Sequence, residues 1–364
     1  MNIKSFFIIS TSQNLLQGEK NRMRIIPIGN APSSGSTFLG DLLDSSPISA
    51  CGPELGLFSI QQTYKDYKYF KKKIFSRCFT SSIYLGYTRF IKDDLHKFGL
   101  NSEELIFIMD MFDNYSDFFS YFTESYLSLR GKQIDGFLFE KTPQNISYIK
   151  EYFNKFDGYY INIVRNPIDV YKSLLKRGFP YGVAVLTWFL EQAKVIPFIN
   201  NSRLIIVKYE ELVEDPYKTV ATIMKKISKK EMKCEIIKER YEKNNYRKFH
   251  TKRIKSWTIR DVGKIKMSTH VKEINEKDKE LLGSLLYLKI SPEYAKLIGI
   301  PEYSFRDLLE IFGYSDLFYK IIKNKKEKKK FILDKPSKVF LLKKTLYSFV
   351  ASKKFFNFLK LVTT

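Results

Sequence analysis

A chain of 364 residues that is 44% hydrophobic can bury one large core or two modest ones, which excludes a disordered polypeptide. Its formal charge of +23 and pI near 9.6 favour anionic ligands, whether nucleotide, nucleic acid, anionic lipid or acidic glycan, without choosing among them. Cys51, Cys78 and Cys234 lie far apart with no CxxC pair, which argues against a zinc site or disulfide framework and favours a reducing cytoplasm, with no metal expected.

In chain order, residues 1–22 hold only the short apolar run "KSFFIIS", too short for a signal-peptide core or a membrane span, and read as an N-terminal extension. No transmembrane helix is predicted. The main domain is expected over 23–300. Within it "RIIPIGN" (24–30), "GFLFEKT" (136–142), "GYYINIVR" (158–165) and "RLIIVKY" (203–209) read as buried strands of a parallel sheet. Helical patterns separate them at 36–45, 103–130, 145–155, 167–177 and 181–199. The alternation predicts the α/β class: a three-layer, P-loop-like parallel sheet flanked by helices. In "VRNPIDVYKSLL", Asn166 suits an N-cap and Pro167 the first helical position.

Residues 301–364 are expected to form a basic helical C-terminal tail, its character changing beyond about residue 317. From 320 onward 14 lysines face only Glu327 and Asp334, so this stretch supplies +12 of the total charge. Its second half mixes Lys343, Lys344, Lys353, Lys354 and Lys360 with Leu342, Leu346, Phe349, Phe356 and Leu359 at roughly helical spacing. That pattern suits a basic amphipathic helix on an anionic membrane surface; a solvated tail, or a helix packed on the main domain, are the alternatives.

Ligands of such sheets collect at the carboxyl ends of strands, which here carry Gly29 to Thr37, Lys141, Arg165 and Tyr209. A strand, a Gly- and Ser-rich turn and a helix place backbone N–H groups and a helix N-terminus around one point, a geometry that binds anions. The GxxxxGKS/T pattern of ATP and GTP hydrolases would put lysine after Gly35, where Ser36 stands, so hydrolysis of a nucleoside triphosphate is disfavoured. Taken alone, the loop is equally a flexible connection with a helix cap.

Four segments lift that ambiguity. "GNAPSSGSTFLGDLLDSSP" resembles the 5'-phosphosulfate loop of sulfotransferases, and "FEKTPQN" their KTP or KDP segment. "INIVRNPIDVYKSLL" resembles their 3'-phosphate motif, and "IIVKYEELVEDPYKTV" their YEDLxxDP segment. The four occur in the family's order, each at a strand end. The resemblance covers about 24–300 and is closest to the bacterial carbohydrate-type and tyrosylprotein-type branches.

That resemblance implies 3'-phosphoadenylyl sulfate (PAPS) as donor and a hydroxyl acceptor, on a saccharide or glycolipid. It puts the 5' end of the donor on the loop Ser33, Ser34, Gly35, Ser36 and Thr37, and the 3'-phosphate on Arg165 and Ser173. Tyr209 would contact the nucleotide, and Lys264, in a basic stretch with Lys252 and Arg253, would close over it. Lys141 would stabilise the leaving oxygen and Glu54 in "CGPELGLF" would accept the acceptor's proton. Each assignment has a plainer rival. Arg165 could be a surface ion pair with Asp169, Lys141 a cap of the neighbouring helix or a partner of Glu140, and Glu54 a helix-start acid. Tyr209 could be a buried structural ring, and Trp188 reads as a core aromatic. His96, His250 and His270 lie outside any KTH context.

One departure stands out. The family's loop has Lys or Arg where this chain has Ser33. Losing one such donor costs about 2.7–4 kcal/mol of transition-state stabilisation in other enzymes, unless another cation replaces it. The sequence therefore points to a cytoplasmic sulfotransferase, peripheral at the inner membrane surface if the tail binds lipid. An inactive homologue, a P-loop-like kinase and a basic nucleic-acid-binding protein are the rivals. Nucleic acid is disfavoured because the excess charge is concentrated in the tail and no RNP, KH or zinc motif is present.

Overall fold

The computed structural model describes residues 23–52, 54, 56–58, 66–69, 71, 107, 109–179, 181–243, 274–322 and 361–363. All four apolar runs form strands: β1 (Ile25–Gly29), β3 (Phe137–Lys141), β4 (Tyr160–Val164) and β5 (Leu204–Lys208). A fifth, β2 (Ser49–Cys51), was not expected; three small residues carry no readable period. The five pair in parallel in the order β2-β3-β1-β4-β5.

Side chains alternate between two apolar layers, as the pleat requires. Ile26, Ile28, Ile161, Ile163, Ile205 and Val207 meet helix α1 (Ser36–Leu43) and a later helix, Pro216–Ser228. Ile25, Leu138, Tyr160, Val164 and Leu204 face the other layer. That layer contains α2 (Tyr115–Leu129), α3 (Ile149–Lys155), α4 (Pro167–Lys176) and α5 (Tyr181–Ala193). The three-layer α/β architecture read from the sequence is the one observed.

Three expected helices are broken. The pattern at 103–130 is interrupted at 111–114, where Asn114 accepts the Asp117 N–H and caps α2. The pattern at 145–155 opens as a 3-10 turn, Pro143–Tyr148, before α3, and the pattern at 181–199 stops at Ala193 ahead of a 3-10 turn, Ile196–Phe198. Pro197 lacks the N–H that would continue α5 through that turn. Asn166 caps α4 as expected, accepting the Ile168 N–H at 3.0 Å.

From β1 the chain moves to one side of the sheet for β2 and β3, then crosses to the other for β4 and β5. Strand order therefore reverses at β1, the switch point outside whose carboxyl end sheets of this kind form their ligand crevice. Helix α1 leads away from that crevice. Its far end is crowded with cations: Lys132 donates to the carbonyls of Asp44 and Ser46, Arg240 to that of Ser45, and Arg130 to the Asp44 carboxylate. Its near end has neither a side-chain cap nor an acid in the first turn.

Residues 301–322 do not leave the main core. Phe305, Phe312 and Tyr314 stand edge-on to Trp188 of α5, and Tyr314 donates its hydroxyl to Glu210 at 2.7 Å. The chain end also returns, Val362–Thr363 pairing antiparallel with Lys289–Ile290. The basic stretch between, the N-terminal extension, and Lys252, Arg253 and Lys264 lie outside the described residues. Among the described residues no helix is long and apolar enough to cross a membrane.

Candidate active site

The loop after β1 is built around two left-handed residues, Ser33 at φ 72° and Gly35 at φ 99°. A Cβ on Gly35 would lie 2.2 Å from Tyr209 Cδ2, so backbone conformation and space both demand glycine. The Asn30 N–H donates to the Pro143 carbonyl at 3.1 Å, tying the loop to the end of β3. The Ser34 hydroxyl donates to Ala31 O at 2.7 Å and so holds the loop's own turn. Ser36 is buried and Thr37 half-buried at the start of α1. Without a cap, the leading N–H groups of α1 face the crevice with the positive end of the helix dipole.

Arg165 follows β4 directly and is only 5% exposed, so it is not a surface ion pair. Trp188 Nε1 donates to its carbonyl at 2.9 Å. Its guanidinium donates to Ser33 O at 3.3 Å, lies 4.3 Å from the Tyr209 ring centre and 3.7 Å from Asp169 Oδ2. The Arg165 Nε is buried with no hydrogen-bond partner, an orphan donor beside the loop. Asp169, Ser173 and Arg177 come after it at four-residue intervals, the spacing of one helix face. Ser173 is half-buried there. Tyr209, at 1% exposure, is a wall of the site: its ring lies against Gly35 and under Arg165.

Across the crevice, Lys141 ends β3 and donates to Glu54 Oε1 at 3.0 Å, both side chains being buried. Burial disfavours the Lys141 charge, but Glu54, Cys51 and Asp41 together outweigh it and hold the ammonium above its usual range. Neither the Glu140 pairing nor the helix-start acid is realised. Glu54 lies in irregular chain after β2 rather than at a helix start, and Glu140 turns away from Lys141. The Glu140 carboxylate accepts from the Gly56 N–H at 3.0 Å, the Thr142 hydroxyl at 2.5 Å and Asn145 Nδ2 at 2.6 Å. With Leu57 and Phe58 buried beside it, this network positions the segment that carries Glu54.

Sequence reasoning passed over two participants. Glu140 positions rather than pairs, and Arg177 donates to Ser33 Oγ at 3.0 Å. The four-residue repeat from Arg165 to Arg177 was the available signal for the second.

Residues 26–228, more than half of the chain, match the profile of the Sulfotransferase family. Among solved structures, the sulfotransferase domain of the Synechococcus PCC 7002 olefin synthase is similar at 19% identity and TM-score 0.42, over 62% of this chain and 80% of that one. The sulfotransferase domain from the curacin biosynthetic pathway aligns at 15% identity and TM-score 0.41, over 60% and 77%. Sulfotransferase STF9 from Mycobacterium avium aligns at 14% identity and TM-score 0.33, over 60% and 67%. No curated protein matches the chain. The family match spans β1, the loop, Lys141, Arg165 and Tyr209, and by it the chain belongs to the sulfotransferase family and is a sulfotransferase enzyme.

Proposed function

We propose that the chain transfers a sulfuryl group from 3'-phosphoadenylyl sulfate to an acceptor hydroxyl. One observation carries this reading: the uncapped N-terminus of α1, the orphan donor of Arg165 and the Lys141–Glu54 pair belong to one crevice at the strand ends. The first two suit a ligand anionic at two points. The third supplies a base and a cation for the reacting centre.

In this reading the backbone N–H groups of Gly35 to Thr37, with the Ser36 and Thr37 hydroxyls, hold the 5' end of the donor. Arg165 and Ser173 hold the 3'-phosphate. Arg165 is already oriented by Trp188 and Tyr209, so little ordering entropy is lost on binding. Glu54 takes the acceptor's proton as its oxygen attacks sulfur, and Lys141, relieved of its partner's charge by that proton, turns to the leaving oxygen. Catalysis then rests on positioning and electrostatics, as in phosphoryl transfer. A saccharide or glycolipid acceptor, and a membrane contact through the basic stretch, rest on the sequence pattern alone. So does a cytoplasmic setting.

Thermal unfolding with 3'-phosphoadenosine 5'-phosphate and with ATP tests the donor. Stabilisation by the first is expected; stabilisation by ATP with indifference to the first overturns the reading. With labelled donor and a panel of saccharide and glycolipid acceptors, Glu54→Gln should keep nucleotide binding and lose transfer.

A further inference from the structure

We propose that Arg177, at the far end of α4, supplies the cation that the loop lacks at position 33 and binds the 5'-phosphosulfate end of the donor. This inference rests on the donor reading above. Two guanidinium groups converge on Ser33: Arg165 on its carbonyl and Arg177 on its hydroxyl. Ser33 is a left-handed non-glycine residue, a conformation that costs about 1–2 kcal/mol, and both of its oxygen acceptors are engaged by arginine. The loop is shaped around these cations rather than containing one.

Arg177 is itself short of negative charge. It is half-buried, its ring contact is Phe179 at 5.5 Å, and among the described residues no carboxylate lies within ion-pair distance of it. Burial pushes its guanidinium below the usual arginine range, and Glu54 offsets this only through space. Arg165, by comparison, has Asp169 beside it. Ser33 takes one of the five N–H donors of Arg177, and the planar fork suits a phosphate or sulfate oxygen at the mouth of the loop.

Glu54 is near enough to Arg177 to offset part of the effect of burial on it. In the transfer, the acceptor oxygen bonds to sulfur and the bond from sulfur to the bridging oxygen breaks. The electron pair stays on the nucleotide's 5'-phosphate and the acceptor's proton goes to Glu54. Charge grows on the bridging oxygen, with Lys141 on the Glu54 side and Arg177 on the Ser33 side. A serine at position 33 is then compatible with activity, because its hydroxyl accepts from Arg177 where a lysine there would repel it.

Calorimetric titration with two nucleotides, adenosine 5'-phosphosulfate and 3'-phosphoadenosine 5'-phosphate, tests the assignment without a known acceptor. Arg177→Ala should weaken both by about tenfold or more, the scale of one charge-assisted contact. Arg165→Ala should weaken chiefly the 3'-phosphorylated one. Adding Ser33→Lys to Arg177→Ala should restore much of the loss for both, which a merely structural arginine does not allow. Loss confined to the 3'-phosphorylated nucleotide, unchanged affinities, or no rescue by Ser33→Lys overturns the proposal while leaving the donor reading intact. No binding of either nucleotide to the unmodified chain overturns both. Should Arg177→Ala fail to fold, Arg177→Lys gives the same test: its blunter ammonium should weaken both nucleotides together.

Discussion

Replacing Lys141 by methionine removes the ammonium 3.0 Å from Glu54 Oε1 and leaves a side chain of similar length. At an effective dielectric near 20, the lost attraction is on the order of 5 kcal/mol. Against it stands the desolvation of both groups, and truncating one partner of a buried pair typically costs about 3–5 kcal/mol. Lys141→Met should therefore lose about 3 kcal/mol at pH 7. In urea unfolding followed by tryptophan fluorescence, with a slope near 3 kcal/mol/M, the midpoint falls by about 1 M at pH 7. Glu54→Gln combined with Lys141→Met should recover most of it. Additive losses in the double variant would refute the claim that the two groups are paired in the buried state.

Gly35→Ala should lower the thermal midpoint and abolish the response to 3'-phosphoadenosine 5'-phosphate, since Tyr209 occupies the space a Cβ needs. Gly131→Ala is the control: it has φ +60° but open space around it, so only the conformational cost of about 1–2 kcal/mol applies. Similar losses at the two positions would remove Tyr209 from the account. Burial lowers the Lys132 ammonium to about 8, against 10.5 ordinarily, although the Asp44 and Ser46 carbonyls accept its protons. Between those values the folded state binds fewer protons, so its contribution to stability rises with pH, by about 1 kcal/mol per unit. The buried Cys51 thiol, held well above its usual range by burial, acts in the opposite sense once unfolded cysteine ionises. The readout is therefore the stability of the unmodified chain minus that of Lys132→Met, which should climb from pH 8 to 10; a flat difference refutes the shift.

The amino-acid sequence alone settled the strands and the residues at their carboxyl ends. Apolar runs such as "RIIPIG" bury on both faces wherever the chain puts them, and Gly35, Lys141, Arg165 and Tyr209 had to stand where those runs stop. Short-range chemistry suffices there, because a strand and its adjoining turn depend on neighbours in sequence. It did not suffice for β2, which three small residues form only by pairing with β3 and by the approach of Cys51 to Gly40 of α1. Nor did the lysine count of the C-terminal segment reveal that Phe305, Phe312 and Tyr314 close on Trp188. The site itself joins partners distant along the chain: Glu54 with Lys141, Ser33 with Arg165 and Arg177, Gly35 with Tyr209. Strand order β3-β1-β4 brings those ends together, and strand order is set by which faces the whole chain can bury at once. That two arginines stand against Ser33 could therefore be read only after the sheet was assembled.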